Sequence, residues 1–196
     1  IIANNIIDSA VYYGMYLQNF NNLTITKNNV KMGYPVYPAA SSYTTYAGYL
    51  TTCNNIISII GNKFDNHTAY QSYGLYINAC INSSSGSPVL IANNFLSVGG
   101  YYGYYGLAYL PGASTSYANF YFNSINYYSP SSSSWAYPFY ISASSGVSNQ
   151  FNVQNNVCAS NNTAGNSAGY YGVYFACPNT YFATLDYNDW YQGTNT

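Results

Sequence analysis

Residues 91–110 read Ile-Ala-Asn-Asn-Phe-Leu-Ser-Val-Gly-Gly-Tyr-Tyr-Gly-Tyr-Tyr-Gly-Leu-Ala-Tyr-Leu and hold two landmarks that recur along the chain. The first is Asn, any residue, then a large apolar residue. It occurs as Asn4/Ile6, Asn28/Val30, Asn62/Phe64, Asn93/Phe95, Asn123/Ile125, Asn155/Val157 and Asn188/Trp190, at intervals of 24 to 34 residues. The second is Gly followed by alternating apolar and polar or aromatic residues, as in Tyr13-Gly14-Met15-Tyr16-Leu17, Tyr73-Gly74-Leu75-Tyr76-Ile77, Tyr105-Gly106-Leu107 and Tyr171-Gly172-Val173-Tyr174-Phe175. Ala47-Gly48-Tyr49-Leu50 and Tyr137-Pro138-Phe139-Tyr140-Ile141 are looser copies.

Two short alternating segments per period, separated by Gly, Ser, Asn and Pro, are strands, and no segment sustains a capped 3.6-residue apolar pattern. A sandwich has short strands too, but it does not reuse the same landmarks; a solenoid does, because each coil stacks on a copy of itself. The expected fold is all-β, a right-handed single-stranded parallel β-helix of about six to seven coils, with residues 1–196 forming one repeat domain. Asn28, Asn62, Asn93, Asn123 and Asn155 are expected to stack as a hydrogen-bonded ladder, with Val30, Phe64, Phe95, Ile125 and Val157 in the core beside it. Which Asn of an Asn-Asn pair faces inward stays open. Neither end carries a recognisable cap, so the domain is expected to be an uncapped segment that makes end-to-end contact with further β-helix, in the same chain or a neighbouring copy.

The segments 91–100, Phe120-Tyr121-Phe122-Asn123-Ser124-Ile125 and Leu185-Asp186-Tyr187-Asn188-Asp189-Trp190-Tyr191 resemble the β-helix repeats of very large secreted surface proteins of Bacteroidota and related bacteria. The resemblance spans essentially the whole chain. It implies a long extracellular, cell-surface rod with an adhesin-like or structural role.

Composition narrows the function from another side. The charges are Lys27, Lys31 and Lys63 against Asp8, Asp65, Asp186 and Asp189, without Arg or Glu. Three lysines cannot neutralise a phosphate backbone, so nucleic acid is not an expected partner. No apolar run approaches the ~18 residues of a spanning helix, so no membrane insertion is expected. Glycoside hydrolysis needs two carboxyl groups about 5–10 Å apart. Asp186 and Asp189 differ by an odd number of positions, and Asp8 and Asp65 lie two coils apart with Lys31 between them. The lone His67 reads as a loop residue, and the Asp residues are too few for a calcium or lyase cluster. No catalytic residue, cofactor site or metal site is expected, and the chain reads as non-enzymatic.

Two sets of residues remain. Tyr16, Tyr76, Tyr140 and Tyr174 share one outward position in the repeat, and Tyr13, Tyr73, Tyr105, Tyr137 and Tyr171 share another. Such ladders either contact extracellular glycans or a second rod, or simply stabilise parallel coils. A carbohydrate-active β-helix, binding glycans through these tyrosines or cleaving them, is therefore the alternative to a structural or adhesive rod. Cys53 and Cys80 fall on adjacent coils and Cys158 and Cys177 within one, so they are either disulfide pairs or four buried small apolar residues. Four N-glycosylation sequons start at Asn22, Asn66, Asn82 and Asn161.

Overall fold

The structure, a computed structural model, describes residues 1–33, 43–112, 115–129, 137–144, 149–162 and 172–194. Within them every strand pairing is parallel, and the chain winds through three faces. The first face stacks β1 (Ile2–Ala3), β4 (Thr24–Thr26), β7 (Ser58–Ile60), β9 (Val89–Ala92), β11 (Tyr117–Tyr121), β14 (Gln150–Gln154) and β17 (Phe182–Asp186), in that order. The second stacks β2 (Ile6–Ala10), β5 (Asn29–Met32), the long β8 (Lys63–Asn78) and β10 (Phe95–Gly112), then β12 (Ser124–Ser129), β15 (Val157–Asn162) and β18 (Asp189–Thr194). β8 and β10 bend into the third face, where their later halves join β3 (Tyr13–Gln18), β6 (Thr44–Thr51), β13 (Tyr137–Ala143) and β16 (Val173–Ala176). The expected parallel β-solenoid is the fold. Among the described residues seven strands stack on the first face, and β3, β6, β8, β10, β13 and β16 line the third.

One apolar column per face fills the interior. Ile25, Ile59, Ile91, Phe120 and Val153 come from the first face, Val30, Phe64, Leu96, Ile125 and Cys158 from the second, and Leu17, Leu50, Ile77, Tyr109 and Ile141 from the third; all are buried in one cluster. Each such side chain contributes about 1.5–3 kcal/mol when removed from water.

At the corner between the first two faces runs the amide ladder. It consists of Asn5, Asn28, Asn62, Asn94, Asn123, Asn156 and Asn188. Each Asn from Asn5 to Asn156 donates both its backbone N–H and its Nδ2 to Oδ1 of the Asn one coil on, as Asn62 does to Asn94 at 3.0 Å each. Its remaining Nδ2 proton goes to a main-chain carbonyl, Ile25 O for Asn62. The predicted rungs at Asn28, Asn62 and Asn123 are therefore correct, with Val30, Phe64 and Ile125 in the core. At the pairs Asn93-Asn94 and Asn155-Asn156 the expected register is off by one. Asn94 and Asn156 are the rungs in place of Asn93 and Asn155, and Phe95 and Val157 stand exposed while Leu96 and Cys158 fill the core.

The reason is backbone conformation. The residue before each rung is left-handed: Asn4, Lys27, Gly61, Asn93, Phe122, Asn155 and Tyr187 all have φ between 54° and 68°. Asn and Gly adopt that conformation most readily, so at Asn4-Asn5, Asn93-Asn94 and Asn155-Asn156 the first residue takes the bend and the second the rung, whereas at Asn28-Asn29 Lys27 takes the bend and Asn28 the rung.

Candidate functional site

The Gly landmark marks the corner where the second face turns into the third. A Cβ on Gly106 would sit 2.4 Å from Pro138 O and 2.5 Å from Ile125 Cγ2, and one on Gly74 2.4 Å from Gly106 O. The column needs small or side-chain-poor residues because one coil's backbone presses on the next. It runs Gly14, Ala47, Gly74, Gly106, Pro138, since Tyr13 pairs with Tyr46, Tyr46 with Tyr73, Tyr73 with Tyr105 and Tyr105 with Tyr137. In the looser copy the landmark is thus Ala47 and not Gly48.

That correction adds Tyr46 and Tyr49 to the tyrosine face. One column is Tyr13, Tyr46, Tyr73, Tyr105 and Tyr137, with successive ring centroids 5.4, 4.4, 5.4 and 5.5 Å apart. The second, two positions on from the corner, is Tyr16, Tyr49, Tyr76, Ala108, Tyr140 and Tyr174. Its rings pair at 5.3 Å (Tyr16–Tyr49), 5.4 Å (Tyr49–Tyr76) and 5.8 Å (Tyr140–Tyr174). The gap over Ala108 is bridged by Tyr105, whose ring lies 6.0 Å from Tyr76 and 4.8 Å from Tyr140. All four predicted contact residues, Tyr16, Tyr76, Tyr140 and Tyr174, stand in this outward column; Tyr171 lies outside the described residues. Tyr46 and Tyr49 escaped the sequence reading because any small residue, not only Gly, satisfies the corner.

The third-face segments of these strands, residues 13–18, 44–51, 71–78, 105–112, 137–143 and 173–176, carry no Asp or Lys, so the face is an electrically neutral aromatic tile. Two of its phenols, Tyr46 and Tyr76, resist ionisation. Burial, reinforced by the neighbouring Tyr76, Tyr13 and Tyr49, pushes Tyr46 up to about 12, and burial raises Tyr76 as well. Each ring pair adds about 0.5–1.5 kcal/mol beyond the area it covers. Chemically the face offers flat apolar rings with hydroxyl rims, suited to stacking on a sugar ring or another aromatic surface.

Five of the seven charges, Asp8, Lys31, Lys63, Asp65 and Asp189, lie on the second face. Asp8, Lys31, Asp65 and Ser97 follow one another in register on its outer side. His67, expected in a loop, lies in β8, with Nε2 2.7 Å from Ser97 Oγ and 3.5 Å from Asp65 Oδ1. Serine, histidine and aspartate thus meet, but both partners address the same ring nitrogen. A relay needs them on opposite nitrogens, and Nδ1 here faces Gly99.

Cys53 and Cys80 are stacked neighbours, the Cys53 N–H donating to Cys80 Sγ at 3.3 Å. Both are buried, and burial raises the Cys80 thiol pKa. Cys158 is buried in the ladder strand, with its thiol donating to Gly172 O at 3.1 Å; Cys177 is partly buried, and burial lifts it to about 11. All four are free thiols in the structure. Of the sequons, Asn66 and Asn82 are buried with their amides bonded to the main chain, so only Asn22 and Asn161 are accessible.

One feature had no sequence signal. The loop from Ser83 to Ser87 stands beside the first face and walls a groove of about 740 Å³. Known proteins place the chain no further: no family model, no curated protein and no solved structure matches it.

Proposed function

We propose that this chain is a non-enzymatic segment of a structural or adhesive extracellular rod, onto whose ends further β-helical coils stack. The polarity of the amide ladder is the observation that carries this reading. Every rung-to-rung bond is donated by the earlier Asn to the later one, so that Asn5 Oδ1 accepts from no rung at one end and the Asn188 backbone N–H donates to none at the other. Complementary groups at opposite ends favour head-to-tail stacking, a contact that extends along the axis and does not close. The resemblance to large secreted surface proteins supports the same placement at the cell surface. The neutral tyrosine face favours a second, compatible reading in which Tyr16, Tyr76, Tyr140 and Tyr174 hold a glycan or a neighbouring rod. Light scattering of the full chain at rising concentration, with negative-stain images, tests the rod. Linear end-to-end particles are expected; a chain that stays monomeric at high concentration overturns it.

A further inference from the structure

The groove crosses four consecutive coils beside the first face, from Asn22 just before β4 and Asn55 and Ile57 just before β7 to Leu90 of β9 and Asn119 and Tyr121 of β11, or about 14 Å at the ~4.8 Å spacing of parallel strands. Its floor is apolar: Ile57, which is 57% exposed, together with Leu90 and the ring of Tyr121. Its rim is made of amides. Asn22 and Asn55, left-handed at φ 55° and 51°, stand exposed one above the other, and neither side chain has a partner among the described residues. Asn119 accepts from Asn152 Nδ2 at 2.7 Å, which leaves its own Nδ2 protons for a ligand. The wall is braced. Asn82 is buried, takes the Ile56 N–H at 3.0 Å and donates to Ile56 O at 2.7 Å and Ser87 O at 3.3 Å, pinning the loop base to the neighbouring coil. No charged residue lines the groove.

We infer that this groove binds an uncharged linear oligosaccharide of about three rings, lying along the solenoid axis. Apolar ring faces would rest on Tyr121, Leu90 and Ile57, and hydroxyls would pair with the amides of Asn22, Asn55 and Asn119. An anionic ligand would find no cation there, and a purely apolar one would strand the amides unpaired. The inference rests on the adhesive half of the proposed function and gives it a ligand class, at a site separate from the tyrosine face.

Calorimetric titration of the full chain with cellohexaose and mannohexaose tests it, with hexagalacturonate as the charged comparison. Saturable binding of at least one neutral hexasaccharide is expected, with none for the charged one. Tyr121→Ser should weaken it about tenfold, and Asn55→Gly, which keeps the left-handed bend, about threefold. Tyr128→Ser, at an exposed position of the second face, should leave it unchanged. Absence of binding to both neutral probes, unchanged affinity in both groove variants, or loss on Tyr128→Ser overturns the inference. The rod reading fails separately: a monomeric chain that binds a neutral probe keeps the groove and loses the rod, whereas an assembling chain that binds neither loses only the groove.

Discussion

The backbone N–H and the side-chain Nδ2 of Asn94 converge on a single atom, Oδ1 of Asn123, at 3.2 and 3.0 Å. Asn123 in turn sends its N–H and Nδ2 to Asn156 Oδ1 at 3.0 and 2.9 Å, and its other Nδ2 proton to Ile91 O at 2.9 Å. One buried amide thus saturates two donors of one coil and spends three of its own. Asn123→Ala leaves several buried polar groups unpaired at about 1–3 kcal/mol apiece. We expect it to lower stability by about 3 kcal/mol or more in urea denaturation; a change under about 1 kcal/mol would show that the ladder is decorative.

The two members of an Asn-Asn pair should respond differently to one substitution. Asn93 supplies only a left-handed bend, φ 54°, so Asn93→Gly should change stability by a few tenths of a kcal/mol. Asn94→Gly removes a rung and should behave like Asn123→Ala. Equal effects at the two positions in thermal melts would refute the division of roles.

Phe122 bears the same bend with an unsuitable side chain. It sits at φ 57° and is 57% exposed, so little packing offsets the backbone cost. Phe122→Gly or Phe122→Asn should stabilise the chain by up to about 1 kcal/mol, read as a raised urea midpoint. A lowered midpoint would mean that the exposed ring makes contacts the isolated chain already needs.

The corner column predicts a contrast between glycines. Gly106→Ala places a methyl 2.4 Å from Pro138 O and 2.5 Å from Ile125 Cγ2, and overpacking of this kind costs about 1–3 kcal/mol. Gly86, in the groove wall, has only Ser84 Oγ within reach at 3.8 Å, so Gly86→Ala should be neutral. Paired chemical melts of the two variants decide it.

Alkaline stability follows from the buried phenols. A folded-state pKa raised above the unfolded value of about 10 contributes stability that is whole below pH 10 and disappears as pH climbs through the folded value. For Tyr46 that window runs from about 10 to about 12. Absorbance at alkaline pH should show a late-ionising class of tyrosines, Tyr46 and Tyr76 among them, that titrates together with loss of β-sheet signal. Titration of all tyrosines near pH 10 with the fold intact would contradict the buried ladder.

Much of this architecture is written in local periodicity. The recurrence of Asn and Gly landmarks requires stacked copies, and alternation within each strand assigns Val30, Phe64 and Ile125 inward and Tyr16, Tyr76 and Tyr140 outward, because successive side chains in a strand point to opposite sides. The scarcity of charge, likewise, already implies a face built from Tyr, Asn, Ser and Thr. Tertiary structure decided what depends on the neighbouring coil. Whether Asn93 or Asn94 is the rung turns on which amide meets an oxygen on the next coil, a partner 29 residues away. Ala47 rather than Gly48 fills the corner because β6 is held in register by Tyr13 below it and Tyr73 above. The meeting of His67 with Ser97 and the braced groove of Asn22, Asn55 and Tyr121 join residues from different turns of the chain. Stacking distance, not sequence distance, makes them neighbours, and only the completed register of the coils fixes it.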